Sequence, residues 1–217
     1  MLTPSVIENH DKTYEWDLVY YVNIVLQAKN VMFGYHNIDH MFHVTGQLYD
    51  AIGFYKISWR TARNLLIAWL FHDYNHSWGK LSDSENIAMA LQGLHKALLR
   101  QDKEYEKQIG ALITATEWPH KHPDNLLAPK LLVDIMRDAD MTQCLSPIWI
   151  KDIIFGLQQE RGKTYKDGFA SQLPFLKSLT FRTQRAQQKF AEPLHKRIQE
   201  LEWRQRIIQQ DTHAKNT

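Results

Sequence analysis

Apolar positions recur along this chain with the three-and-four spacing of amphipathic helices, separated by short polar stretches that carry most of its glycines and prolines. Residues 16–28 predict a first buried helix. A break over 30–37, containing Gly34, leads to a second helix with Met41, Val44, Leu48 and Ile52 as its stripe and an interruption at Gly53. From Thr61 the pattern changes. Positions 65–71 (Leu-Leu-Ile-Ala-Trp-Leu-Phe) are apolar on every face and then deliver His72-Asp73. A helix that is apolar all round is normally buried, so this pair is expected at the inner end of a core helix.

A loop over 77–81 follows, and Ser82-Asp-Ser-Glu85 has capping-box spacing ahead of Ile87, Leu91, Leu94 and Leu98. Further helices are predicted over about 103–117, ended by Trp118-Pro119, and on the stripe Leu132, Ile135, Met136 and Ala139. Two more cover about 148–161 and 179–209, the latter kinked or broken at Pro193. No segment alternates convincingly with period two. The pattern therefore predicts an all-α fold in one domain over 1–217, with a core at about 16–190 and a C-terminal helix and polar tail over 191–217.

Composition narrows the partners. A net charge of +2 implies neither a nucleic-acid nor a membrane partner, and the 65–71 run is too short to span a bilayer. Cys144 is the only cysteine, which excludes an internal disulfide and a thiolate zinc cluster and fits a reducing compartment. Residues 1–10 lack a charged leader followed by an apolar stretch, so no signal peptide is expected and a cytoplasmic location is.

Eleven histidines carry the candidate chemistry. His36 and His40 are four apart, a spacing that would share one helical face. His40 lies at the edge of the Met41, Val44 and Leu48 stripe, whereas His43 points nearly opposite. The same wheel puts Asp140 beside the Leu132, Met136 and Ala139 stripe, and Asp138 on the polar side with Asp134, as a solvated face paired with Arg137 or Lys130. His40, His72, Asp73 and Asp140 thus offer two imidazoles and two carboxylates, each near the end of a core helix. A buried carboxylate needs a partner or a metal, and this mixed shell suits Mg²⁺, Mn²⁺, Fe²⁺, Co²⁺ or Zn²⁺ as Lewis acid and hydroxide generator.

His40, His72-Asp73 and Asp140, in that order on helices, resemble the H…HD…D signature of the HD superfamily of metal-dependent phosphohydrolases. Tyr35-His-Asn-Ile-Asp-His40 is similar to an element of the cyclic-nucleotide phosphodiesterases, as are His72-Asp-Tyr-Asn-His76 and Ser84-Glu85. Leu112-Ile-Thr-Ala-Thr-Glu117 before Arg137-Asp-Ala-Asp140 looks more like small bacterial and phage HD phosphohydrolases. The resemblance implies an HD-domain, phosphodiesterase-like helical bundle with one or two divalent ions. Its metal ligands would be His40, His72, Asp73 and Asp140, with Asp73 able to bridge. His36 would be the general acid, kept protonated by a carboxylate such as Asp39, and His76 would orient a metal-bound water or approach a second ion. Glu85 is either the capping-box residue or an acceptor for metal-bound water. His120 and, less so, His122 stand where some members place further ligands; His95 reads as a core or helix-flank histidine. The purine-binding glutamine and aromatic clamp of the phosphodiesterases are not found in the sequence, and no Glu-Asp pair of the alarmone hydrolases follows His72-Asp73.

Arg182 and Lys189, close to Phe181 and Phe190, are candidates to meet a substrate phosphate. The expected activity is hydrolysis of a phosphoester or phosphoanhydride in a small substrate, most simply a nucleotide. A di-iron oxygenase and a non-catalytic nucleotide- or metal-binding module are the alternatives. Whether the chain forms a homodimer is left open.

Overall fold

The structure, a computed structural model, describes residues 18–28, 34–120 and 127–214, with side chains as far as 207. The helices are α1 (Leu18–Leu26), α2 (Ile38–Tyr55), α3 (Trp59–Phe71), α4 (Asp83–Ala97), α5 (Glu106–Thr114) and α6 (Lys130–Asp140). A π-type helix (Ile150–Leu157) runs into the short α7 (Gln158–Glu160), and α8 (Tyr165–Ser178) and α9 (Gln184–Ala214) follow. Turns of 3₁₀ type, Arg100–Tyr105 and Met141–Leu145, precede α5 and follow α6. No strand occurs among the described residues, so the all-α expectation is met.

The helix expected at the centre is there. Every residue of α3 from Ala62 to Phe71 is buried, and α1, α2, α4, α5 and α6 all pack on it. Its buried arginine is paired: Asp102 takes Arg63 through two hydrogen bonds of 2.8 and 2.7 Å and Tyr21 Oη at 2.6 Å. Burying a pair this completely is tolerable only because the charges and lone pairs are met. A second apolar cluster, Cys144, Trp149, Ile153, Ile154, Leu176 and Leu201, joins the π-type helix to α8 and α9. Among the described residues no helix is long and apolar enough to cross a membrane.

Several boundaries differ from the sequence pattern. α2 continues through Gly53 to Tyr55 and stops where Lys56 adopts a left-handed conformation (φ 50°), so Gly53 does not interrupt it. The 103–117 segment is a 3₁₀ turn plus a helix that ends at Thr114, before Trp118-Pro119. α8 lies where the apolar pattern predicts no helix, although Thr164 and Asp167 form its reciprocal capping box. α9 runs unbroken through Pro193. Trp16 of the first predicted helix and His122 lie outside the described residues.

Candidate metal centre and acid pair

The end of α3 builds the centre of the site. His72 caps that helix, and its Nδ1 lies 2.7 Å from the Trp69 carbonyl, an acceptor, so Nδ1 carries the proton and Nε2 keeps its lone pair. Trp69 stacks on the ring at 3.7 Å and is itself anchored by its indole N–H on the Met41 carbonyl. His40, wholly buried in the first turn of α2, is fixed in the same way. Its Nδ1 meets Gln143 Oε1 at 2.5 Å, and Gln143 donates from its amide to Asp152 at 2.7 Å. Both Nε2 lone pairs therefore point away from their protein supports.

They point at carboxylates. His40 Nε2 lies 3.2 Å from Asp140 Oδ1 and 3.5 Å from Asp73 Oδ2, and His72 Nε2 lies 2.9 Å from Asp73 Oδ2 and 3.8 Å from Asp140 Oδ1. Neither buried Nε2 makes a well-formed hydrogen bond among the described residues. His40, His72 and Asp140 each place one ligand atom within 4.8 Å of the others, and Asp73 stands among them. Two imidazole nitrogens and two carboxylates converging on one point need a shared cation or an added proton. Without a metal, burial opposes a charge on His72 but Asp73 and Asp140 raise its pKa, and a divalent ion would take the proton's place. The residues present fit a divalent ion.

Beside this centre stands a second cluster, His36, His76 and Glu160. His36 precedes the N-cap Asn37 rather than belonging to α2, so the four-residue spacing to His40 is not a helical-face relationship. Its Nδ1 lies 2.7 Å from Glu160 Oε2, while Glu160 Oε1 accepts the backbone N–H groups of Tyr35 at 2.5 Å and His36 at 2.9 Å. Burial by itself would lower the His36 pKa. The nearby Asp73 charge and the hydrogen bond and charge of Glu160 outweigh it, raising the pKa to about 9. Burial pushes the Glu160 carboxyl up, but His36 holds it below the usual range.

Glu160 is cradled by two glycine turns. A Cβ on Gly34 (φ 74°) would collide with Glu160 Oε1, and one on Gly79 (φ 73°) would fall 2.5 Å from the Glu160 carbonyl. Positive φ and close approach together leave little choice but glycine at both positions.

His76 stacks on His36 with ring centroids 3.8 Å apart. Its Nδ1 accepts the Trp78 N–H at 3.2 Å, and Asn86 lies 3.1 Å from its Nε2. Burial, then the neighbouring His36, lowers its pKa to about 4. His76 is thus a neutral wall for the His36 ring, its nitrogens already engaged by protein groups.

Several expectations for single residues need correction. Asp138 is not on a solvated face: it is buried and accepts hydrogen bonds from the N–H groups of Arg182 and Thr183 and from Thr183 Oγ1, at 2.7–2.8 Å. Asp134 is also buried and pairs with Lys130 at 2.8 Å. The carboxylate on His36 is Glu160, whereas Asp39 is exposed with Lys151 at 3.6 Å. Glu85 completes the capping box on Ser82, and Asp83 is the residue of that turn lining the cavity. Arg182 lies 3.9 Å from Asp134, and Lys189 bonds Asp50; neither lines the cavity. His120 packs edge-on to Trp118 and joins neither histidine cluster, and His95 pairs with Glu106 on the surface.

Both clusters open into one cavity of about 480 Å³, within the size range of small-molecule sites. Its far wall comes from the helices that the apolar pattern marks least clearly. Gln172 and Phe175, one turn apart on α8, line it together with Trp118, Ile153 and Leu157. Gln172 is buried, and its amide nitrogen has no hydrogen-bond partner among the described residues. Phe175 meets Trp118 edge-on at 5.7 Å. Searches against family models, curated proteins and solved structures give no match to this chain.

Proposed function

We propose that the protein is a metal-dependent phosphohydrolase acting on a phosphoester or phosphoanhydride of a small substrate, most simply a nucleotide. The observation that carries this reading is the convergence of the His40 and His72 Nε2 atoms, each with its Nδ1 held by a protein oxygen, with Asp73 and Asp140 beside a half-buried, carboxylate-held histidine. His40, His72, Asp73 and Asp140 would hold the ion. When bound, a divalent ion supplies a Lewis acid for phosphoryl oxygens and makes water a better nucleophile near neutral pH.

The chain's own residues supply the rest. With Nδ1 on Glu160, His36 carries its transferable proton at Nε2. A water oxygen forms the new P–O bond, and the old ester bond breaks with its electron pair on the leaving oxygen. That oxygen takes the His36 proton, and the proton lost by water returns to the imidazole through solvent. Glu160 and the stacked His76 keep the ring in register. The unpartnered Gln172 amide suits an acceptor on a heterocycle, and Phe175 and Trp118 give that ring an apolar bed.

The test is release of phosphate or nucleoside by metal-stripped protein refilled with Mn²⁺, Mg²⁺, Co²⁺, Zn²⁺ or Fe²⁺. The substrates are nucleoside mono-, di- and triphosphates and cyclic nucleotides. Turnover abolished by Asp73→Ala is the expected result; no turnover with any metal would sink the proposal.

The His36, His76 and Glu160 triad favours a second reading, a two-ion redox centre of the di-iron oxygenase kind, in which His36 is a ligand rather than an acid. A visible absorption band and oxygen consumption on loading with Fe²⁺ would support that reading, and neither is expected of the hydrolase.

A further inference from the structure

The cavity interior is acidic, with Asp73, Asp83, Asp140 and Glu160 on its walls, yet one guanidinium stands among the lining residues, that of Arg161. The arginines nearer the core are used within the protein: Arg63 by Asp102, Arg182 by Asp134 and Arg137 by the Ala115 carbonyl. Arg161 is exposed, and its side chain has no hydrogen bond or ion pair among the described residues. Its backbone is nonetheless held. Its N–H donates to the Leu157 carbonyl, Gly162 turns the chain with φ 61°, and the Gly79 turn packs against its Cα. That contact brings a second loop to the cavity edge. Lys80 lies between Gly79 and Leu81, which both line the cavity, and it too is exposed without an ion-pair partner among the described residues. Arg161 on the lining and Lys80 at the rim, from two loops in contact, thus put two cations without an ion-pair partner among the described residues at one side of an acidic cavity.

The side they mark is informative. Arg161 directly follows Glu160, the carboxylate that holds His36. If His36 protonates the leaving oxygen, Arg161, next in the chain to the carboxylate that holds it, and Lys80, next to the Gly79 turn that packs on Glu160, enter the cavity from the side of the acid. A histidine acid is needed most for an alcohol, a far poorer leaving group than a phosphate. We infer that the leaving alcohol carries a second phosphate group, bound by Arg161 and Lys80, so that the preferred substrate is a nucleoside bisphosphate rather than a monophosphate. This rests on the phosphohydrolase reading of the site. A guanidinium offers a phosphate paired N–H donors, and a lysine adds a point charge.

The probes are adenosine 3′,5′-bisphosphate and adenosine 5′-monophosphate, with the full chain loaded with Mn²⁺, as wild type, Arg161→Gln and Lys80→Gln. In wild type the bisphosphate should have the lower KM. In Arg161→Gln that preference should fall about tenfold, roughly 1.4 kcal/mol of binding, and Lys80→Gln should reduce it less. Equilibrium binding of both probes, followed by calorimetry, should show the same loss without reference to turnover. Equal preference in wild type and Arg161→Gln, by KM and by binding, would overturn the inference while leaving the hydrolase reading intact. If nothing is hydrolysed, selective bisphosphate binding lost in Arg161→Gln would still support the anion site, and its absence would end both readings.

Discussion

His36 and Glu160 lie 124 positions apart in the chain, and His36 Nδ1 stands 2.7 Å from Glu160 Oε2. One carboxylate also accepts two backbone N–H groups, so it fixes both the ring and the turn that presents it. Replacing it with Glu160→Gln should keep much of the shape and remove the charge. In the metal-free protein the His36 imidazole should then titrate well below its value of about 9. NMR of the ring protons reads this directly, and an unchanged His36 titration would remove Glu160 from the acid. Gly34→Ala, which drives a Cβ into Oε1, should lower kcat in the same direction as Glu160→Gln.

Stability of the metal-free protein should peak near the ordinary histidine pKa of about 6.5. His36 is raised in the folded state, so its contribution is full below about 6.5 and is lost as pH rises through about 9. His43, His76 and His120 are each lowered to about 4, first by burial and then by nearby positive charge. Their contribution is full above about 6.5 and is lost as pH falls through about 4. Urea unfolding across pH 4–9 should trace this dome, and a stability that keeps rising to pH 9 would contradict the His36 assignment.

Asp138→Ala should cost stability, not metal. Three donors at the start of α9 would lose their acceptor, at roughly 1–3 kcal/mol for hydrogen bonds to a charged group. Thermal unfolding should show a clearly lowered midpoint, with divalent-ion affinity close to wild type. A variant as stable as wild type would mean that these contacts contribute nothing.

How far the sequence reaches into this site follows from where the information lies. His40, His72, Asp73 and Asp140 are legible because each sits at the edge or end of an apolar stripe, and periodicity reports which face of a helix is inside. Periodicity cannot report what packs on the other face. Asp138 looks solvent-facing on its own wheel, but the Arg182-Thr183 turn covers it. Glu160 cannot be paired with His36 from the sequence because nothing local links residues so far apart. α8, with Gln172 and Phe175, does leave a signal in the spacing of Thr164 and Asp167. Its helix carries only a few buried residues and an internal Pro174, which blurs the stripe. Lys189 neighbours an aromatic in the sequence and does lie over the Phe190 ring, but its charge is used by Asp50.

The central claim, that His40, His72, Asp73 and Asp140 form a divalent-metal centre, is tested most directly by calorimetric titration of chelator-treated protein with Mn²⁺. Wild type should bind one or two ions, with a rise in thermal midpoint equivalent to about 2.7 kcal/mol at a hundredfold excess over Kd. Binding should be lost in Asp140→Ala and kept in Asp138→Ala, although the two aspartates sit two residues apart on α6. Equal binding by wild type and Asp140→Ala, or none by wild type, would contradict it.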